Sequence, residues 1–132
     1  MATPTDFYFV TAIIISHDGA TWLPEVIASL SSQTRKVDRF IAIDTGSLDS
    51  SPKLLQGAGI PVVIADREMG FGDSVALALE QTPAIAISDS HDREELLWIL
   101  HDDVAPAKDA LAVLIEGIAQ YPLAAFVGPK LL

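Results

Sequence analysis

The chain has no cysteine. That excludes a disulfide framework and any zinc site built on thiolates. Basic residues are scarce: eight lysines and arginines stand against eighteen aspartates and glutamates, for a formal net charge of −10. Nucleic acid needs a basic footprint, so this balance argues against it as a partner, and against an anionic membrane surface. An anionic small molecule stays admissible if a metal, helix N-termini or local basic residues receive it. No apolar run is long enough to span a membrane. The opening Met1-Ala2-Thr3-Pro4-Thr5-Asp6 lacks the positive stretch of a secretory signal. A cytoplasmic protein is the expectation. Two phosphate fingerprints are also missing. No Gly-x-Gly-x-x-Gly follows the first strand-like run, and Gly-x-x-x-x-Gly-Lys-Ser/Thr occurs nowhere.

What is present is enough apolar material for one core: half of the 132 residues are hydrophobic. Phe9 to Ser16 reads as a buried strand. Leu23, Val26, Ile27 and Leu30 then fall at i, i+3, i+4, i+7, one face of a helix, with Thr21 as its cap and Pro24 in its first turn. Arg39 to Ile43 is a second strand. A helix from near Asp49 to Gln56 follows, capped by Ser47 or Asp49 and ended by Gly57 and Gly59. Pro61 to Ala65 is a third strand, and Phe71, Val75, Ala78 and Leu79 mark a third helix. Residues 82–93 read as a polar loop with a short apolar interruption at Ala84 to Ile87. A further strand ends at His101, a helix carries Leu111, Leu114, Ile115 and Ile118, and Ala124 to Val127 reads as a fifth strand. Such alternation predicts a three-layer α/β/α domain on a mainly parallel sheet. The chain stops soon after that last run, so the expectation is a single, truncated domain over 1–132.

Chemistry concentrates where strands end. Leu96-Leu97-Trp98-Ile99-Leu100 reads as a strand buried on both faces, and it stops abruptly at His101-Asp102-Asp103. Adjacent carboxylates repel, so a cation or hydrogen-bond donors must compensate. The bland alternative is a solvated turn that caps the next helix. Two other strand ends are polar: Ser16-His17-Asp18-Gly19 and Asp44-Thr45-Gly46-Ser47-Leu48-Asp49. With spatial order 3-2-1-4 all three converge at the carboxyl edge of the sheet, where open α/β sheets bind ligands. His17, Asp18, Asp44, Asp102 and Asp103 would then share a pocket. Arg67 reads as a surface arginine rather than a diphosphate contact, and Trp22 and Trp98 as packing residues.

Taken in order, several stretches resemble the family 2 glycosyltransferases, which have the GT-A fold. Ala12-Ile-Ile-Ile-Ser-His-Asp-Gly19 looks like the opening strand and nucleotide loop. Leu30-Ser31-Ser32-Gln33-Thr34 looks like the family's Gln-Thr helix end, and Phe40 to Ser51 is similar to its Asp-x-Gly-Ser-Thr-Asp turn. Gly70-Phe71-Gly72 resembles its glycine loop, and Leu97 to Asp103 its metal-binding carboxylate motif. The His-Asp-Asp version resembles actinobacterial members.

The resemblance implies roles. Ser16, His17 and Asp44 fall where the family binds the nucleoside base. Asp102 falls on the ribose- or sugar-facing carboxylate, and Asp103 on the ligand of a Mg²⁺ or Mn²⁺ ion. The implied donor is a nucleotide-diphosphate sugar, UDP-sugar favoured. The implied acceptor is a carbohydrate or a lipid-linked hydroxyl in cell-envelope polysaccharide or glycolipid synthesis, with the longer protein at the inner face of the membrane. The family's general base would lie beyond Leu132, which leaves this chain as the donor-binding portion. His101 stands where an aspartate is frequent, so its part in metal binding is open: direct ligand, or a group that orients Asp103. Two rivals remain. A non-catalytic transferase-like module would keep the fold without the metal, and a nucleotidyltransferase would want a basic loop after the first strand, where this chain has only His17.

Overall fold

The computed structural model describes residues 4–82 and 93–129. Four parallel strands form one sheet: β1 (Tyr8–Ser16), β2 (Arg39–Asp44), β3 (Val62–Ile64) and β4 (Glu94–His101). Their order across the sheet is β3-β2-β1-β4, as the strand-end argument requires. The helices are α1 (Leu23–Ser31), α2 (Ser51–Gly57), α3 (Phe71–Gln81) and α4 (Ala110–Gln120). No helix among the described residues is long and apolar enough to cross a membrane.

β1 is central because its sequence has no polar face. Val10 to Ser16 are all buried, and alternate side chains serve opposite layers. Ala12 and Ile14 meet Leu23, Val26 and Leu30 of α1 and Leu55 of α2. Val10, on the same face, packs with Leu111 and Ile115 of α4. Ile13 and Ile15 join Ile41 and Ile43 against Ala78 and Val75 of α3. Among the described residues three helices therefore cover one face and one covers the other, the expected three-layer arrangement. Each fully buried isoleucine or leucine contributes roughly 1.5–3 kcal/mol.

Five expectations need correction. Ala124 to Val127 is not a strand: 122–127 runs as turn and coil beside α4, with Val127 Cγ2 near Gly117. Four residues, two of them alanine, bury too little to extend the sheet. β4 is not buried on both faces; Leu97 and Ile99 are 42% and 45% exposed. It is an edge strand, and α3 covers β1 and β2 rather than β4. Thr21 does not cap α1. The helix begins after Trp22, itself half exposed rather than packed, and both Trp22 N and Leu23 N donate to Gly19 O at 3.0 Å. Leu79 is 45% exposed, because α3 turns Ala78 and Ser74 inward instead. The apolar interruption at 84–87 lies outside the described residues.

Gln33, in the Gln-Thr pair after α1, is buried and fully used. Its Nε2 donates to Ser29 O (3.1 Å) and Ala107 O (2.8 Å), and its Oε1 accepts from Leu111 N (3.1 Å). Thr34 N adds a bond to Lys108 O at 2.9 Å. The side chain of Asp109 does not cap α4; Gln33 supplies an acceptor to its first turn from across the fold. Replacing Gln33 by leucine leaves the buried Leu111 N–H without its acceptor and takes a donor from Ser29 O and Ala107 O. Gln33→Leu is expected to lower unfolding free energy by about 2–3 kcal/mol in urea titration.

Candidate functional site at the carboxyl edge of the sheet

Register brings the three polar strand ends together. Ser16 pairs with Asp44, and Ile15 with His101, so the loops after β2 and β4 flank the loop after β1. That middle loop is held by its own amides. His17 N donates to Asp102 Oδ2 (2.7 Å), Asp18 N to Ser47 Oγ (2.9 Å), Gly19 N to Ser51 Oγ (2.9 Å) and Ala20 N to Asp49 Oδ2 (3.0 Å). Four consecutive N–H groups thus end on four side chains from the neighbouring loops.

The acceptors are themselves positioned. Asp44 is fully buried, and its two oxygens accept from Ser47 N (2.8 Å) and Ser47 Oγ (2.7 Å). Asp49 Oδ1 accepts from Ser51 N at 2.9 Å and from the Ser51 hydroxyl. Ser47 serves the loop, whereas Asp49 also receives the first amide of α2, that of Ser51, as the expected cap. Hydrogen bonding from Ser51, outweighing partial desolvation, holds the Asp49 carboxyl below the usual range. Gly46, at φ +65°, takes a left-handed turn that a side chain would strain, and a Cβ there would lie 3.0 Å from Arg67 Cβ.

Asp18 is the one non-glycine described residue at positive φ (+49°). The strain is offset by its bonds: Arg67 Nη2 donates to Oδ2 at 2.6 Å and Leu48 N to Oδ1 at 2.8 Å. Arg67 also donates to Gly46 O at 2.9 Å. It therefore joins the loops after β1, β2 and β3 and is not a loose surface residue. That Arg67 bond, followed by the Leu48 amide, lowers the Asp18 pKa from 3.8 to about 2, and Arg67 is raised in return. His17 places Nδ1 2.8 Å from Thr45 Oγ1 and 3.1 Å from Thr45 O.

Asp102 is pressed against Gly19. A Cβ on Gly19 would sit 2.3 Å from Asp102 Oδ2 and 2.5 Å from Cγ, so no side chain fits. Burial raises the Asp102 pKa; the His17 N–H opposes this and the neighbouring Asp103 charge reinforces it. Asp103 is exposed, and among the described residues no hydrogen-bond donor or cationic side chain engages it. The His101 ring lies on the ring of Phe71, the first residue of α3, with centroids 4.3 Å apart and planes 13° from parallel.

The predicted residues therefore separate. His17, Asp18, Asp102 and Asp103 share the open edge. Ser16 and Asp44 lie beneath it, fully buried, and Ser16 Oγ has no hydrogen-bond partner among the described residues. The sequence reading has Gly19 and Phe71 only inside motifs and Arg67 as a surface arginine, and gives none of them a part in the site. Gly19 had a signal, a glycine directly after two polar residues at a strand end. The Arg67–Asp18 and Phe71–His101 pairs are set by loop geometry and had none.

The sequence model for glycosyl transferase family 2 matches residues 11–130, nearly the whole chain. The chain belongs to glycosyl transferase family 2. No curated protein matches it in sequence. Among solved structures, this family 2 chain resembles a Pyrobaculum calidifontis mannosyltransferase in complex with GDP-Man and Mn²⁺ (TM-score 0.69, 20% identity, 84% of this chain and 32% of that one). It also resembles Mycobacterium tuberculosis glucosyl-3-phosphoglycerate synthase with Mn²⁺, UDP and glucosyl-3-phosphoglycerate (0.65, 16%, 89% and 42%). A third is S. aureus TarS 1-349 (0.64, 14%, 92% and 38%). These likenesses give the GT-A fold. The chain spans about a third to two-fifths of the length of those proteins.

Two measurements check this geometry. Asp18 should titrate in carbon-detected NMR with a midpoint of about 2, returning toward 3.8 in Arg67→Ala. Because its folded pKa is depressed, its contribution to stability is present above pH 3.8 and is lost as pH falls through about 2. Gly19→Ala should destabilise the fold by about 1–3 kcal/mol by overpacking. Asp102→Ala, by removing the carboxylate the new methyl meets, should recover part of that loss in the double variant.

Proposed function

We propose that this chain is the donor-nucleotide-binding portion of a glycosyltransferase that moves a sugar from a nucleotide-diphosphate sugar to an acceptor hydroxyl. The observation that carries the reading is the Asp102–Asp103 pair at the end of β4, beside the amide-anchored loop after β1, within a family 2 chain. UDP-sugar is the favoured donor. The M. tuberculosis neighbour and a second TarS structure contain UDP, while the P. calidifontis enzyme contains GDP-Man.

The carboxylates suit Mg²⁺ or Mn²⁺. Both ions take hard oxygen ligands and are commonly held by one or two carboxylates plus substrate phosphates. Among the described residues no group of three potential ligand residues lies together. Asp103, exposed and without a partner among the described residues, is the ligand in this reading. Bound there, the ion would supply charge neutralisation for the departing diphosphate.

The protein's own groups do the rest. Asp102 keeps one oxygen on His17 N and offers the other to the ribose or sugar. His17 and the backbone of 16–18 line the base end. Ser16 and Asp44, both buried, act there by shaping the loop: Asp44 sets Ser47, and Ser47 sets the Asp18 amide. The general base and acceptor contacts belong, on this reading, to the part of the enzyme that this chain does not span. The acceptor is a carbohydrate or lipid-linked hydroxyl in cell-envelope polysaccharide or glycolipid synthesis, at the cytoplasmic side.

Calorimetry with UDP and GDP tests the proposal. Binding should require Mn²⁺ or Mg²⁺, and Asp103→Asn should weaken it by at least about tenfold. Equal affinity with and without metal, or none for either nucleotide, would defeat it.

A further inference from the structure

His101 stands at the last position of β4, in register with Ile15. Alternation puts it on the α3 face of the sheet with Leu97 and Ile99, and puts Asp102 on the other, where it meets His17 N and Gly19. The histidine thus points away from Asp102, and it forms no three-residue ligand group with the two carboxylates. Its ring is engaged instead by Phe71, face to face at 4.3 Å.

Phe71 is the one side chain in Gly70-Phe71-Gly72. A Cβ on either glycine would meet nothing within 4 Å, so neither flanking residue packs this segment in place. The rest of α3 is fastened to β1 and β2 through Ala78 and Val75. On that face Leu97 and Ile99 of β4 are exposed. The aromatic pair is therefore where the start of α3 meets the end of β4, one residue before the carboxylate pair.

We propose that His101 is a positioning residue. Stacked on Phe71, it holds the 70–72 segment against the end of β4 and fixes the orientation of Asp102 and Asp103 for the donor diphosphate. This rests on the nucleotide-sugar reading above. It assigns the histidine an aromatic role in place of metal ligation, and it makes Phe71 its functional partner.

The test uses the 132-residue chain with His101→Phe, His101→Ala, Phe71→Ala and the double alanine variant. UDP affinity in the presence of Mn²⁺ should fall on the order of tenfold in each alanine variant and no further in the double one. His101→Phe should restore it to within about threefold of the parent, because a flat apolar ring keeps the stack and abolishes nitrogen ligation. A His101→Phe chain as weak as His101→Ala, with Phe71→Ala binding normally, would overturn the proposal in favour of a ligand role. A second readout needs no nucleotide. The ring-proton shifts of His101 should move in Phe71→Leu as the ring current is lost, and the two alanine substitutions should be non-additive in thermal unfolding. Unchanged shifts or strict additivity would overturn the stack even if the parent binds UDP. A parent chain that binds neither UDP nor GDP defeats the nucleotide reading, and with it the donor-orienting role, while the shifts still decide whether the pair exists.

Discussion

Four consecutive amides, from His17 to Ala20, are the constraint on which the site depends. A loop leaving the carboxyl end of a central parallel strand carries N–H groups with no ladder partner, and each must find an acceptor. Here Asp102, Ser47, Ser51 and Asp49 take one each. Three come from the loop and helix start after β2, and one from the end of β4. The two motifs that flank β1 are thus bound to it by hydrogen bonds as well as by sheet register. Asp102 joins the two flanking loops, since the carboxylate that fixes His17 N also stands beside Asp103.

Much of this was legible in the chain. Ile13-Ile14-Ile15 and Ile41-Ala42-Ile43 could only be buried strands, and the i, i+3, i+4, i+7 faces of α1 and α4 had to pack on them. Short connections between such units permit few topologies, so the β3-β2-β1-β4 order followed. What failed depended on neighbours. Residues 94–101 are apolar enough for a central strand, yet that composition cannot say which elements cover it. The run at 124–127 has the right residues for a strand and no partner to pair with among those described.

At the site the sequence located the loops but not the division of labour within them. Asp44 carries the same carboxylate as Asp102 or Asp103, but its burial and its bonds to Ser47 make it a support for the loop. No periodicity distinguishes those cases, because burial and hydrogen-bond partners depend on which loops lie against each carboxylate. Gln33 was visible only as a motif; its use as a remote acceptor for α4 depends on a contact 78 residues away in the chain. Charge was more informative. A domain at −10 that gathers Asp18, Asp49, Asp102 and Asp103 on one edge, with Arg67 committed to Asp18, repels a diphosphate unless a cation accompanies it.

The outer side of β4 has a consequence for the protein in solution. No described strand pairs with it, and Leu97 and Ile99 are open above it. Such an edge is a template for another chain's strand. Glu95 at its start is paired with Arg39, so it is the overall negative charge that sets copies apart, by repulsion that reaches only about 10 Å at 0.1 M salt. Divalent ions that neutralise the acidic carboxyl edge would therefore also weaken the repulsion between exposed strands.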